Sequence, residues 1–385
     1  MRRVLVPLPP TTWGGLHAFS QNIALPLNAL GWEQVVVVPQ SADAIAERLA
    51  APGLTVVQRD LARLRRSWSA NWSTLAGLPS EIAGLSRLCT DQDIAIVQAV
   101  GAHHYHGALT ARKTGLPLVW QLHSDLLPRP LRPIAATIIR NTADIVMTNG
   151  AAVGRSFFGN AAIARRIFHA PLEASRFGNS AILLSSARAE LGLPETATVV
   201  GTVGNRVAQK DHALLIEVAR RTRHLYPRLR YVILGADNPD YRQQYQAKVA
   251  VPAAHLNRQH PGYVTITDPG TRVPELIGAF DIFCLTSRAE GLPLAVAEAG
   301  AVGLPVVSTD VGALSEVIED GASGYLVPRN RYDAAAFAQR IGHLLAHPDL
   351  RQQMGAQHRQ RVITTFSAAS VARVHADAYE AALHR

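Results

Sequence analysis

Two glutamates eight residues apart, Glu290 and Glu298, stand in the stretch 288–305, where most of the other side chains are small and apolar. A carboxylate on a helix of small apolar residues is unfavourable unless something pairs with it. Glu298 therefore calls for either an arginine on a neighbouring element or a ligand whose hydroxyls it accepts. Glu290 lies in the loop just ahead, beside a helix start whose free N–H groups attract phosphate. One ligand with hydroxyls at both ends and phosphate between them satisfies all three features, and a nucleotide sugar is such a ligand. A cation for the phosphates is offered by Lys210, in Gly204-Asn205-Arg206-Val207-Ala208-Gln209-Lys210, because lysine binds phosphate as a point charge. The chain has only three lysines against 35 arginines, so Lys210 is not generic surface filler.

The elements that position these residues follow from their flanks. Pro293 suits a first helical position and Gly303 the residue past the end, which predicts a short helix over 293–302 that is packed inside a layered domain. Lys210 follows an apolar strand at 199–203 and precedes a helical stretch. Elsewhere, continuous apolar strands at 4–8, 34–39, 54–58, 94–100, 116–122 and 144–148, and again at 231–234, 264–266, 281–285 and 306–308, alternate with helical stretches. Such alternation predicts parallel sheets covered on both faces, with ligands beyond the carboxyl ends of the strands. That rule sorts the remaining candidates. Asp91-Gln92-Asp93 precedes its strand and reads as a turn or cap. His103, His104, Tyr105 and His106 follow a strand but lack a zinc spacing, and read as a polar patch on the acceptor side. His123 directly follows a strand, where capping, core and ligand roles are all open. Gly14 and Gly15 sit between a strand and a helix, as in a phosphate-binding α/β unit.

At these residues the chain resembles the retaining GT-B glycosyltransferases of family 4. The resemblance rests on Glu290-Gly291-Leu292-Pro293, Glu298-Ala299, the run Gly303 to Thr309, Gly312 and Glu316-Val317-Ile318. It implies an α/β GT-B fold with two doubly wound Rossmann-like domains facing across a cleft. The expected domains are 1–178 on the acceptor side, with a C-terminal helix 368–385 crossing back, and 179–367 for the nucleotide sugar. It further implies a retaining transfer from a nucleotide-diphosphate donor, a UDP-sugar, in cell-envelope glycan, glycolipid or secondary-metabolite synthesis. His123, Glu290, Lys210 and Arg206 would be catalytic. Gly14, Gly15, Gly204, Asn205, Gly291, Leu292, Pro293, Leu294 and Glu298 would bind the donor, with no metal and no cofactor. The stretch 267–273 would lie near the base. One departure stands out: the family has glycine followed by arginine, whereas Asn205 follows Gly204 here and Arg206 comes one place late. Two other readings are a nucleotide-sugar epimerase, with Asp125 its best-placed extra carboxylate, and a non-catalytic nucleotide-sugar sensor.

The totals fit this organisation. With 385 residues, two domains are the default. The apolar start before Pro7 is too short for a signal peptide core, and no run nears the ~18 apolar residues of a membrane span. A cytoplasmic protein is expected, with peripheral contact at the inner face of the membrane. Cys89 and Cys284 read as free thiols. The net charge of +9 is uneven: residues 1–180 carry 17 Lys+Arg against 10 Asp+Glu, and the remainder 21 against 19. With no nucleic-acid module, the basic first half points to an anionic or membrane-borne acceptor. The arginines of 59–66, followed by Trp68 and Trp72, read as a basic amphipathic segment.

Overall fold

Apolar runs bounded by glycine, proline and polar turns become parallel strands. The computed structural model describes residues 1–385 apart from 12, 63–67, 103–104, 125–126, 160–164, 173–176, 178–180 and 291–293, and apart from the side chains at 68–75, 129, 181–183 and 331. It divides into two compact units, Met1–Pro171 with Phe366–Arg385, and Leu172–Thr365.

Among the described residues the first unit holds strands β1 (Arg2–Pro7), β2 (Trp32–Pro39), β3 (Leu54–Arg59), β4 (Ile94–Val100), β5 (Leu118–Leu122), β6 (Ile145–Asn149) and β7 (Arg165–Phe168). They form one parallel sheet in the order β3-β2-β1-β4-β5-β6-β7. Successive side chains of a strand face opposite sides, and β1 shows the result: Val4 and Val6 enter one core with helix Gly15–Ala29, while Leu5 enters the other with helix Trp68–Asp91. Helix Ala368–Leu383 packs in the first of these cores, with Val371, Ala372, Ala378, Tyr379 and Ala382 buried. Its polar side chains are matched to the sheet. Tyr379 donates to Gln98 Oε1, Gln98 donates to Gln121 at 2.7 Å, and Gln121 Nε2 meets His375 Nε2 at 2.9 Å. His375 Nδ1 in turn donates to Val371 O at 2.8 Å, so every member of this buried chain is satisfied.

The second unit repeats the design with β8 (Thr198–Val203), β9 (Leu229–Leu234), β10 (Val264–Thr267), β11 (Ile282–Leu285), β12 (Val306–Thr309) and β13 (Gly324–Val327), all parallel in the order β10-β9-β8-β11-β12-β13. In both sheets the order reverses beside the first strand, the place where such folds collect ligands. Helix Ala334–Ala346 starts at Asp333, whose carboxylate accepts from Ala336 N at 2.8 Å, and helix Ala368–Leu383 starts at Ser367, which accepts from Ser370 N at 3.1 Å. Cys89 and Cys284 are buried free thiols, and burial pushes the Cys89 thiol up to about 11. No helix among the described residues is long and apolar enough to cross a membrane.

Candidate active site

In the second unit the chain leaves β8 through Gly204 and returns under it with Lys210. A side chain at Gly235, just after β9, would bring its Cβ to 2.1 Å from Gly204 O, so the close approach of the two strand ends requires glycine there. Lys210 Nζ donates to Glu290 Oε1 at 2.6 Å, with the two side chains only 19% and 7% exposed. Around that pair the loops after β8 and β11 are laced together. Arg288 N donates to Gln209 O at 2.9 Å and Gln209 Nε2 to Ala289 O at 2.6 Å. Arg288 Nε donates to Asp211 Oδ2 at 2.7 Å, and the Tyr332 hydroxyl lies 2.7 Å from both Asp211 Oδ2 and Thr286 O. Burial, reinforced by Asp211, holds the Tyr332 phenol well above its usual range. Asp211 itself has φ 44°, a left-handed conformation held by this crowd of partners.

Helix Leu294–Ala301 follows. Val296, Ala297, Ala299 and Ala301 are buried, Glu298 is half-buried, and Leu294 is exposed. The helix lies so close to helix Pro348–Phe366 that a Cβ at Gly300 would stand 2.4 Å from Val362 Cγ2 and 2.8 Å from His358 Nε2. Arg359 Nη1 donates to Ala301 O at 2.7 Å, covering an end carbonyl, and Gly303 follows with φ 81°. The expected helix over 293–302 is thus present from Leu294; Gly291, Leu292 and Pro293 lie outside the described residues. In the 267–273 stretch, Gly270 N donates to Asp268 Oδ1 at 2.9 Å and Arg272 pairs with Glu190 at 2.7 Å.

In the first unit Gly14 is extended (φ −159°) and precedes helix Gly15–Ala29, its N–H donating to His17 Nδ1 at 3.2 Å. Burial lowers the pKa of His17. A Cβ at Gly15 would meet nothing within 4 Å among the described residues, so none of these demands glycine there. His123, half-buried just past β5, stands edge-on to Phe19 (4.9 Å between centroids) and Phe168 (5.1 Å), and Asn149 Nδ2 donates to its carbonyl at 3.3 Å. His375 packs on the same two phenyl rings at 5.3 Å each.

One reading needs correction. His106 does not belong to a polar patch open to an acceptor: it is buried, with Nε2 2.8 Å from the buried Glu81, which also accepts from Ala62 N at 3.1 Å. His106 begins the helix His106–Thr114, whose next residue, Gly107, packs so close to Ala99 of β4 that a Cβ there would stand 2.8 Å from the Ala99 Cα. His103, His104, Asp125, the arginines of 63–66 and the side chains of Trp68 and Trp72 lie outside the described residues. Asp91 ends a helix and Asp93 has φ 48°, ahead of β4. Among the described residues no three His, Cys, Asp or Glu side chains group as metal ligands.

The structure therefore joins Gly204, Lys210 and Glu290, places Glu298 one helix turn beyond Leu294, and gathers His123 with Phe19 and Phe168 in the other unit. Asp211, Arg288 and Tyr332 were not foreseen; the sequence signal was Asp211, a carboxylate adjoining the candidate lysine.

Comparison with known proteins gives the same class. Residues 14–169 match the family described as a glycosyl transferase 4-like domain and residues 185–361 that described as glycosyl transferases group 1. The chain belongs to the GT-B glycosyltransferases of this group 1, family 4 type. It is 25% identical to the D-inositol 3-phosphate glycosyltransferase of Streptomyces griseus, over 96% of this chain and 85% of that one. With the alpha-maltose-1-phosphate synthase of Mycolicibacterium smegmatis it shares 31% identity over 193 residues, a match that spans only about half the length of that relative. Among solved structures, Anabaena HepE in complex with UDP superposes with a TM-score of 0.79 at 18% identity, covering 98% of this chain and 99% of that one. A glycosyltransferase from Rickettsia africae superposes at 0.80 and 16% identity, covering 99% and 98%. At those identities the two structures speak to the fold.

Proposed function

We propose that the protein transfers a sugar from a nucleotide-diphosphate donor, a UDP-sugar, to an acceptor hydroxyl with retention of configuration at the anomeric carbon and without a metal ion. The observation that carries this reading is the Lys210–Glu290 pair, set where the loops after β8 and β11 meet and next to the helix that bears Glu298. In this reading Lys210 balances the diphosphate, whose charge grows as the glycosidic bond breaks. Glu290 with Gly291 and Leu292 holds the sugar, Glu298 accepts the ribose hydroxyls, and Gly14, Gly15 and His123 are further contacts to the donor. No side chain is assigned as a covalent nucleophile. The acceptor attacks from the leaving-group face, and the departing phosphate takes up its proton. The solved structures of HepE with UDP and with UDP-glucose support a uridine donor.

The acceptor is proposed to be anionic. The charge excess of residues 1–180 supports this, as does the likeness to two enzymes named for a phosphorylated sugar or polyol.

The test is product analysis after incubation with UDP-sugars and a panel of phosphorylated and neutral polyols, with and without a chelator. Retained configuration and activity unaffected by chelator are expected. An inverted anomer overturns the mechanism, and interconversion of the donor without acceptor would identify an epimerase instead.

A further inference from the structure

The Arg206 guanidinium lies over the Tyr245 ring, 5.8 Å from the centroid, and Arg206 lines a cavity of about 90 Å³ together with His212, Tyr245, Lys248 and Arg288. We infer that this cavity is a second anion site, which takes a phosphoryl group separate from the donor's diphosphate.

Three observations point to a ligand. The first is an orphaned donor set. His212 Nδ1 lies 3.2 Å from the Tyr245 hydroxyl, and its Nε2, like Arg206 Nε, is buried with no hydrogen-bond partner among the described residues. Buried polar groups of this kind are normally satisfied by protein, water or ligand. The Tyr245 hydroxyl can donate to Nδ1, and in that tautomer the imidazole proton sits on Nε2 as a donor. The second is charge. Arg206, Lys248 and Arg288 line the cavity against one carboxylate, Asp211, which leaves two positive charges in excess. Asp211 is already engaged by Arg288 and Tyr332 and adds little repulsion toward a ligand. The third is the wall itself. Tyr245 ends the helix Arg242–Tyr245, and Lys248 stands in the π-helical turn Gln246–Ala250 that follows it. Such turns are rare and cluster at functional sites. The opposite wall is the start of helix His212–Thr222, whose first N–H groups add a positive pole. Burial, helped by Lys210 and Arg206, lowers the His212 pKa to about 4, so the ring stays neutral at physiological pH and acts as a hydrogen-bond donor rather than a charge.

A tetrahedral oxyanion fits this donor set: forked guanidinium groups, an ammonium on a flexible stem and an imidazole N–H. The one-residue displacement of the arginine explains how the cation came to serve it. With Asn205 after Gly204, the Arg206 backbone N–H donates to Ala236 O at 3.0 Å, beyond the end of the neighbouring strand β9, and the side chain reaches the Tyr245 wall.

The site is defined by anion binding, not by turnover, so it stands or falls independently of the transfer reaction. Inorganic phosphate is titrated calorimetrically into the full chain, alone and with saturating UDP. Phosphate binding in both conditions is expected, since UDP occupies a different subsite. Lys248 is exposed, so Lys248→Gln should fold normally, and it should weaken phosphate binding about tenfold, the loss of one charge-assisted contact, with UDP affinity retained. Arg206→Gln should weaken phosphate binding by a similar factor. Complete displacement of phosphate by UDP would show that the cavity belongs to the donor diphosphate and overturn the inference. Absence of binding at millimolar phosphate, or an unchanged affinity in both variants, would overturn it as well.

Discussion

Lys210 and Glu290 neutralise each other, and a donor must compete for that lysine. Because phosphate charge is greatest at the transition state, Lys210→Ala should act mainly on kcat, while Glu298→Ala should raise the donor KM. Each loss should be ~1.5–3 kcal/mol, the worth of one charge-assisted contact. Steady-state kinetics with the donor varied will separate the two, and wild-type constants in either variant would remove that residue from the site. The same pair makes a stability prediction. Removing Lys210 strands the Glu290 carboxylate, which is only 7% exposed, so Lys210→Ala should lose roughly 1–3 kcal/mol, and adding Glu290→Gln should restore most of it. Additive losses in urea unfolding would mean that the two side chains do not depend on each other.

Helix Leu294–Ala301 is held in place by contact too tight for a methyl group. Gly300→Ala pushes a Cβ into His358 and Val362, so the variant should unfold at lower temperature by the ~1–3 kcal/mol typical of overpacking, and it should also raise the donor KM by shifting the helix that carries Glu298. A destabilised variant with unchanged KM would show that Glu298 tolerates movement of its helix. Much at this scale was legible from sequence. The expected strands are present within a residue or two at most ends, because buried parallel strands are written as unbroken apolar runs. β7 and β13 were not recognised. Arg165-Arg166-Ile167-Phe168 is an edge strand with two arginines, and Gly324–Val327 is a four-residue edge strand with little room for periodicity. Lys210 and Glu290 were each legible through local composition, but the bond between them was not, because it joins loops 80 residues apart. His106 misled for the same reason: its partner Glu81 sits on a helix 25 residues upstream.

At the scale of the molecule, four histidines, His169, His212, His358 and His375, are held neutral by burial with pKa values of about 4 against an ordinary 6.5. The unfolded chain therefore takes up protons that the folded chain refuses as pH falls from about 6.5 to 4. Stability contributed by these groups is full above 6.5 and declines below it, by up to ~1.4 kcal/mol per pH unit for each histidine. Urea midpoints should fall between pH 7 and pH 5, before most carboxylates titrate; a flat profile would contradict the burial of these rings. The first unit also depends on helix Ala368–Leu383, whose removal would expose Phe19, Phe168 and the Gln98–Gln121 pair. A chain ending at Ser367 should lose the cooperative unfolding of that unit while Leu172–Thr365 keeps its own. The same helix imposes an order on birth at the ribosome. All of Leu172–Thr365 is contiguous and can close as soon as it emerges, whereas the sheet that begins at Arg2 waits, one core face bare, until residues past 380 are free of the exit tunnel. The half of the molecule made first is the half completed last, and during translation it is the half that chaperones must shield.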